Sequence, residues 1–169
     1  GYPFTPLDLA PNFRGKPQYT AQQCIACGAC ANACPSNALA MTTAEDGETL
    51  RWQLFLGRCI FSARCEEVCP TAAIRLSQEF ELAVWRKEDL FETADFPICH
   101  CRACGKPYAV QKEIDFALSL LQESAALSDR QVADRREQYE TCPECKKLHS
   151  LSSSDRIDIG RHMTTEAHS

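Results

Sequence analysis

Residues 24–35 read CIACGACANACP, and residues 59–70 read CIFSARCEEVCP. The first stretch has the spacing C-x2-C-x2-C-x3-C-P, in which a tight loop places three cysteines around one iron–sulfur cluster and directs the fourth to another. The second stretch repeats this pattern at an offset of 35 residues, with serine in place of the second cysteine. The repeat extends through residues 36–39 and 71–74, so we predict a duplicated loop, short helix and strand.

The duplicated spacing predicts two clusters with crossed ligation, because the fourth cysteine of each loop serves the cluster of the other loop. The predicted ligands of the first cluster are Cys24, Cys27, Cys30 and Cys69, and those of the second are Cys34, Cys59, Ser62 and Cys65. Gly28 allows the backbone to approach the first cluster closely. Ile25 and Ile60 are expected to shield the clusters from water, and Pro35 and Pro70 end the two loops.

Ser62 stands where the repeat requires cysteine, and Ala63 stands where the first loop has Gly28. Three outcomes are open: the serine oxygen binds iron, an outside ligand binds it, or the corner is empty and the cluster is [3Fe-4S]. A sequence variant without function is the fourth alternative. An alkoxide suits this chemistry less well than a thiolate, so we expect a cluster that is harder to reduce or more labile. A positive φ at Ala63 would cost about 1 kcal/mol.

A zinc site and a disulfide framework are the alternatives for these cysteines. Thiolates at C-x2-C spacing also suit zinc, but a duplicated three-plus-one pattern has no use in one tetrahedral site. The chain has 12 cysteines and lacks a signal-peptide pattern. This combination indicates thiolate ligands in a reducing compartment, so we predict a cytoplasmic protein with [4Fe-4S] clusters.

A third cysteine group lies in the second half of the chain, as two C-x2-C pairs separated by a helical insert. Its members are Cys101, Cys104, Cys142 and Cys145. Two such pairs are typical of one tetrahedral metal ion, and we predict zinc, with mononuclear iron as the alternative. Cys99 is too close to Cys101 to repeat the spacing and is predicted not to be a ligand. His100 and His149 are expected to be exposed.

Charge and hydropathy limit the partners. The chain has 18 basic and 23 acidic residues, a net charge of -5, which provides no positive excess for binding nucleic acid phosphates. No apolar run approaches the roughly 18 residues of a membrane helix, so we expect any membrane association to be peripheral. The chain starts at Gly1 and not at methionine, which leaves room for upstream residues, an anchor among them.

Local patterns predict the remaining elements. In chain order they are a hairpin of strands 39–43 and 51–55 around Asp46-Gly47, a strand at 81–85, a polar crossing segment at 88–97, a helix at 110–122, and a helix at 129–140 that starts with a capping box of Ser128 and Gln131. We predict an α+β fold: a pseudo-symmetric two-cluster ferredoxin core with an N-terminal arm and a small C-terminal metal-knuckle module. The predicted boundaries are 1–20 for the arm, 21–95 for the core, 96–150 for the knuckle module and 151–169 for a flexible or partner-docking tail.

Taken together, these motifs resemble the ferredoxin-like iron–sulfur subunits of formate hydrogenlyase and of its hydrogenase-4 counterpart, relatives of the two-cluster peripheral subunit of respiratory complex I. The resemblance covers most of the chain and departs at Ser62 and Ala63, where the family pattern has cysteine and glycine. The segments that carry it are NFRGKP at 12–17, QCI at 23–25, CPSNAL at 34–39, LGRCIF at 56–61, RCEEVCPT at 64–71, QKEID at 111–115 and TCPECK at 141–146.

This resemblance implies an electron-transfer subunit that relays electrons between a formate dehydrogenase branch and a membrane-associated nickel–iron hydrogenase. Its partners would be the hydrogenase large and small subunits and a formate dehydrogenase-linked ferredoxin subunit, which would hold it on the cytoplasmic face of the inner membrane. The alternatives are a relay subunit of a complex I-like NADH or other energy-converting hydrogenase complex, and a structural adaptor with one redox-silent site. The sequence has no nucleophile–base pair or phosphate loop, so we expect a non-catalytic subunit.

Overall fold

The structure is a computed structural model that describes residues 1–5, 7–125 and 127–154. Its chain contacts divide it into two units. The first comprises Gly1–Ile98 together with Ala109–Phe116. The second comprises Cys99–Tyr108 together with the chain from Ala117 onward. Both units combine helices with strands or turns, and each is described below by itself.

In the first unit, an antiparallel pair of short strands joins the segment before the first cysteine loop to the segment after the second. Strand β1 (Pro17–Tyr19) pairs with β4 (Ile74–Leu76), with Tyr19 opposite Ile74. The predicted hairpin is confirmed: β2 (Leu39–Thr43) pairs with β3 (Thr49–Phe55). The Asp46 carboxylate closes its turn by accepting the backbone N–H groups of residues 48 and 49 at 2.9 and 3.1 Å.

The hairpin belongs to a larger sheet that the local patterns did not predict. Strand β5 (Phe91–His100) pairs antiparallel with β3, and β6 (Pro107–Val110) completes a four-stranded sheet in the order β2-β3-β5-β6. The predicted polar crossing at 88–97 is therefore wrong. Alternate residues of β5, at 91, 93, 95 and 97, are exposed, as in a strand with one solvated face, while Phe96 is buried on the other face. Asp95 on the solvated face accepts two hydrogen bonds from Arg51 of β3.

The predicted strand at 81–85 is also wrong. Among the described residues no strand pairs with this segment, and its side chains are mostly exposed, with Trp85 fully so. Its apolar residues favour a strand locally, but a strand forms only where a neighbour supplies hydrogen bonds.

The backbone confirms the predicted duplication. Each loop is followed by a short helix, α1 (Ala29–Ala33) or α2 (Arg64–Glu67), and then by strand β2 or β4. Every residue of the two loops with positive φ has an equivalent 35 positions away: Ala26 and Phe61 at 58° and 55°, Gly28 and Ala63 at 73° and 66°, and Asn37 and Ala72 at 51° and 54°. Two unlike sequences therefore adopt the same loop conformation because their cysteines occupy the same positions.

Gly15 fastens the end of the N-terminal arm to the segment after β4. Its N–H donates to the Ser77 carbonyl at 2.8 Å, and the Lys16 N–H donates to the Glu79 carbonyl at 2.6 Å. A Cβ at residue 15 would lie 2.1 Å from that Glu79 oxygen, which is backbone and cannot rotate away. Glycine is thus required at residue 15 because two segments of the chain approach each other closely there.

We expect Gly15→Ala to open this contact. Overpacking of this kind costs about 1–3 kcal/mol, so the amides of Lys16 and Ser77 should exchange with solvent deuterium at least several-fold faster. Hydrogen exchange followed by mass spectrometry measures the change. The control is Gly57→Ala, because the three atoms nearest to its Cβ would all belong to the ring of Phe55, a side chain that can move. Equal exchange rates in both variants would contradict the explanation.

Three helices follow in the C-terminal half. Helix α3 (Gln111–Ala125) begins in the first unit and continues into the second, with Ile114 and Leu118 buried along one face, as the periodicity at 110–122 predicted. Helix α4 (Asp129–Tyr139) has the predicted capping box. Helix α5 (Pro143–Ser154) starts with proline, which is favourable at the first position of a helix. The rest of the predicted tail, 155–169, lies outside the described residues. None of the described helices is long and apolar enough to span a membrane.

Candidate iron–sulfur and metal sites

The first loop and the end of the second loop enclose one cavity. The predicted ligands Cys24, Cys27 and Cys30 line it together with Cys69 from the other repeat. Cys27 is exposed, and the other three are partly buried. The structure therefore brings together the three-plus-one set that the spacing predicted. Tyr19 and Trp52 complete the wall opposite the loop.

A second cavity of the same kind lies at the other repeat. Cys59, Ser62 and Cys65 line it together with Cys34, and Pro17 and Leu54 complete the wall. The empty volumes at the two loops are similar, about 350 and 330 Å³ with the space open to solvent included, so serine at residue 62 has not collapsed the second cavity. Each loop thus has a cavity lined by its own cysteines and by one cysteine of the other repeat.

Backbone amides donate to the cysteine sulfurs in both repeats. The Ala38 N–H lies 3.3 Å from Cys34 Sγ, and the equivalent Ala73 N–H lies 3.2 Å from Cys69 Sγ. Hydroxyls of Ser36 and Thr71 lie 3.6 and 3.8 Å from the same sulfurs. Burial raises the pKa of Cys34 and Cys69, but these hydrogen bonds outweigh burial and lower the pKa of both. Such bonds favour the thiolate, which is the form that binds iron.

At three other cysteines, burial outweighs hydrogen bonding and raises the pKa. Burial raises the pKa of the Cys65 thiol to about 11, and it also raises the pKa of Cys30 and Cys59. A metal ion deprotonates a thiol outright when it binds, and it thereby offsets the cost of a buried thiolate. These three cysteines are suited to bind metal and poorly suited to remain charged alone.

Ser62 occupies the position that Cys27 has in the first loop. Its side chain is partly buried in the wall of the second cavity, and its hydroxyl has no hydrogen-bond partner among the described residues. The next residue, Ala63, has φ 66° and ψ 1°, against 73° and -1° for Gly28. The left-handed conformation expected at Ala63 is present, and the loop adopts it without glycine. Arg14 supports this turn by donating to the Ser62 carbonyl at 3.2 Å.

The second unit brings the third cysteine group together. The sulfurs of Cys101, Cys104, Cys142 and Cys145 all lie within 4.8 Å of one another. A tetrahedral ion with metal–sulfur bonds of about 2.3 Å separates its sulfurs by about 3.8 Å. The Cys104 and Cys142 sulfurs are already 3.8 Å apart, so the donor set fits a tetrahedral thiolate site.

The thiols of this group differ in pKa. The Cys142 N–H donates to Cys101 Sγ at 3.2 Å, and this bond lowers the pKa of Cys101 to about 6. Hydrogen bonding with the Cys142 thiol raises the pKa of Cys145 to about 12. Cys99 is buried but does not belong to the group of four, and its thiol donates to the His100 carbonyl at 3.7 Å. His149 is exposed, as expected, whereas His100 is partly buried.

Residues 23–73 match the family model described as a 4Fe-4S dicluster domain. Over 162 residues the chain is 55% identical to formate hydrogenlyase subunit 6 of Escherichia coli (strain K12), a match that covers 96% of this chain and 88% of that protein. The chain belongs to the family of formate hydrogenlyase subunit 6. The family membership predicted from the motifs is thereby confirmed, and the chain is an electron-transfer iron–sulfur subunit.

Other similar proteins match about half of the chain. NADH-quinone oxidoreductase subunit I 2 of Geobacter metallireducens is 34% identical over 96 residues, which cover 52% of this chain and 73% of that protein. A chain of the membrane-bound sulfane sulfur reductase, an archaeal respiratory membrane complex, is 29% identical with a TM-score of 0.41, covering 52% of this chain and 48% of that one.

Sequence reasoning missed two residues of the first cavity, Tyr19 and Trp52. Neither lies within a cysteine motif, so the motifs gave no reason to select them. The repeat offset contains a usable signal, because Tyr19 is equivalent to Leu54 and Trp52 to Pro17. Two polar aromatic residues thus replace two apolar residues at the matching positions of the duplicated unit.

Proposed function

We propose that this chain binds two [4Fe-4S] clusters and passes single electrons between them. Cys24, Cys27, Cys30 and Cys69 would hold the first cluster, and Cys34, Cys59, Ser62 and Cys65 the second. The observation that carries the proposal is the pair of matched cavities, each lined by three positions of one loop and one cysteine of the other. When bound, such clusters supply one-electron redox chemistry, and the residues around them set the potential.

Within a complex, the chain would connect a formate dehydrogenase branch with a nickel–iron hydrogenase. Its partners would be the hydrogenase large and small subunits and a formate dehydrogenase-linked ferredoxin subunit. Identity of 55% over nearly the whole relative supports this placement. Attachment would be peripheral, on the cytoplasmic face of the inner membrane, through those partners.

Two other functions compete with this one. The similarity to subunit I of NADH-quinone oxidoreductase favours a relay in a complex I-like or other energy-converting hydrogenase assembly, but it covers only 52% of the chain. Ser62 favours an adaptor with one redox-silent site. Reduction and reoxidation of both clusters by a partner would exclude the adaptor.

The test is electron paramagnetic resonance on anaerobic protein, oxidised and reduced, with iron and zinc counted on the same sample. We expect about eight cluster irons and two interacting reduced signals. A three-iron signal in the oxidised sample would mean that Ser62 leaves a corner empty. Reduced protein with a single signal and about four irons would contradict the two-cluster relay.

Ser62→Cys should convert the second site to four-cysteine ligation. A thiolate suits iron–sulfur chemistry better than an alkoxide, so we expect a cluster that is easier to reduce and lost more slowly in air. Redox titration and the rate of iron release measure these two properties. The control is Thr42→Cys, which adds a thiol at an exposed position that lines neither cavity. Unchanged spectra and iron content in Ser62→Cys would contradict a ligand role for this position.

The four cysteines of the second unit would bind zinc, with mononuclear iron as the alternative. The sulfur distances support a tetrahedral ion and suit both metals. Zinc would hold the segments around Cys101 and Cys142 together, whereas iron would add a third redox centre. The same metal counts distinguish the two, since a zinc-loaded site gives one zinc per chain.

A further inference from the structure

Most lining positions of one cavity have an equivalent 35 residues away in the other. In the first cavity the wall opposite the loop is formed by Tyr19 and Trp52. In the second cavity the equivalent wall is formed by Leu54 and Pro17. The offset of 35 residues relates Tyr19 to Leu54 and Pro17 to Trp52. At these two positions, the duplicated unit therefore presents polar hydrogens to the first cavity and hydrocarbon to the second.

Tyr19 and Trp52 form a rigid pair. Their rings stack with centroids 3.7 Å apart and planes 9° from parallel. Trp52 is fully buried, and the Tyr19 hydroxyl is buried as well. Neither the hydroxyl nor the indole N–H has a hydrogen-bond partner within the described part of the chain. Leaving a buried donor unsatisfied costs about 1–3 kcal/mol, so two adjacent cases require an explanation.

The cavity that these two donors line also contains the proposed ligands Cys24 and Cys30. Burial raises the pKa of Tyr19 well above its usual value, and the neighbouring Cys24 thiol raises it further. Burial also raises the pKa of Cys30, and the Trp52 indole N–H opposes this by favouring the thiolate. Neither donor reaches a thiol with normal hydrogen-bond geometry. Each nevertheless lies beside a sulfur that is a proposed cluster ligand.

We propose that the Tyr19 hydroxyl and the Trp52 indole N–H donate to sulfurs of the first site, and that this makes the first cluster easier to reduce than the second. The inference rests on the proposed two-cluster ligation. Reduction adds negative charge to a cluster, and donors to its sulfurs stabilise that charge. Leu54 and Pro17 offer no such donor, and the second site also has Ser62 in place of a thiolate.

The consequence for electron transfer is a fixed order in which the two sites are reduced. A single electron would occupy mainly the first site, beside the aromatic pair, because that site would have the higher reduction potential. The second site would be reduced at a lower potential. Within the motifs, Ser62 is the difference in the ligand set of the two sites. Tyr19 and Trp52, which lie in strands outside the motifs, add a second difference.

The test is a redox titration of the full cluster-loaded chain, followed by electron paramagnetic resonance. The first variant, Tyr19→Phe, keeps the stacked ring and removes only the hydroxyl. The second replaces Trp52 with 3-benzothienylalanine, which keeps the bicyclic shape and has no N–H. We expect each change to lower the reduction equilibrium constant of the first site about tenfold, which is about 59 mV for one electron, with the second site unchanged. The matched control is Tyr2→Phe, because Tyr2 lines neither cavity.

Three results would overturn the inference. One is a first-site potential that is unchanged in both variants, and another is an equal shift at both sites, which would indicate a packing role alone. A third needs no variant: in heavy water, the unsubstituted protein should show deuterium couplings from exchangeable hydrogens at the first cluster, and their absence would exclude the donors. Iron counts on the unsubstituted protein test the two-cluster proposal separately, so the two failures are distinguishable.

Discussion

Replacing Cys69 with alanine should remove the first cluster and leave the second. Cys69 lies in the second repeat, yet it lines the cavity of the first loop with Cys24, Cys27 and Cys30. Loss of one of four thiolates leaves an iron without its ligand. Burial also raises the pKa of Cys30, one of the remaining ligands, which disfavours its thiolate form when no metal is bound. We expect about four irons per chain to be lost, measured by iron analysis, together with one of the two reduced signals.

The controls for this prediction separate crossed from uncrossed ligation. Cys27→Ala should remove the same signal as Cys69→Ala, although the two residues belong to different repeats. Cys65→Ala and Cys34→Ala should remove the other signal. If Cys69→Ala and Cys65→Ala removed the same signal, each loop would hold its own cluster with all four ligands, and the proposed ligand sets would be wrong.

Cys142→Ala should remove the metal of the second unit and unfold the segments around it. Cys142 is buried, and its N–H also binds Cys101 Sγ, so the loss affects both halves of the site. Structural zinc in small peptides contributes about 10–16 kcal/mol, as much as the whole stability of a typical domain. We expect zinc to fall from one per chain to none, and amides near the start of α5 to lose protection in hydrogen exchange.

Cys99→Ala is the matched control for the second unit. Cys99 is also a buried cysteine, but it lies outside the group of four sulfurs. Its truncation removes one sulfur atom from a packed site and should leave one metal ion per chain. Loss of metal in Cys99→Ala, or retention of metal and protection in Cys142→Ala, would contradict the assigned ligand set.

Serine at residue 62 leaves the backbone conformation of the loop unchanged but changes the atom that it offers to the second cavity. The turn at residues 62 and 63 keeps the conformation of the first loop, with Ala63 at φ 66° where the other loop has Gly28. The fold therefore tolerates both departures from the family pattern. Their effect falls on the cluster, because the side chain that reaches the second cavity supplies oxygen in place of sulfur.

The sequence alone determined the features of this protein that depend on residues close together in the chain, and the cysteine spacing is the main one. Cysteines three apart in one loop surround the same space, and the fourth points to the other loop, so the duplicated loops and the short helices followed from the motifs. The hairpin and the capping box of α4 likewise depend on a few consecutive residues, and both are present. Family membership followed from the same motifs and is confirmed by a relative with 55% identity.

Only the tertiary structure decided which distant segments meet. Strand β5 was missed because a strand with one solvated face resembles a polar linker until its partner β3 is known. The wall of Tyr19 and Trp52 arises because β1 and β3 reach the same cavity from separate positions in the chain. Such contacts depend on sheet pairing and register between remote residues, which local spacing does not encode. The sequence thus specified the cysteine positions, and the fold decided the polarity around each set.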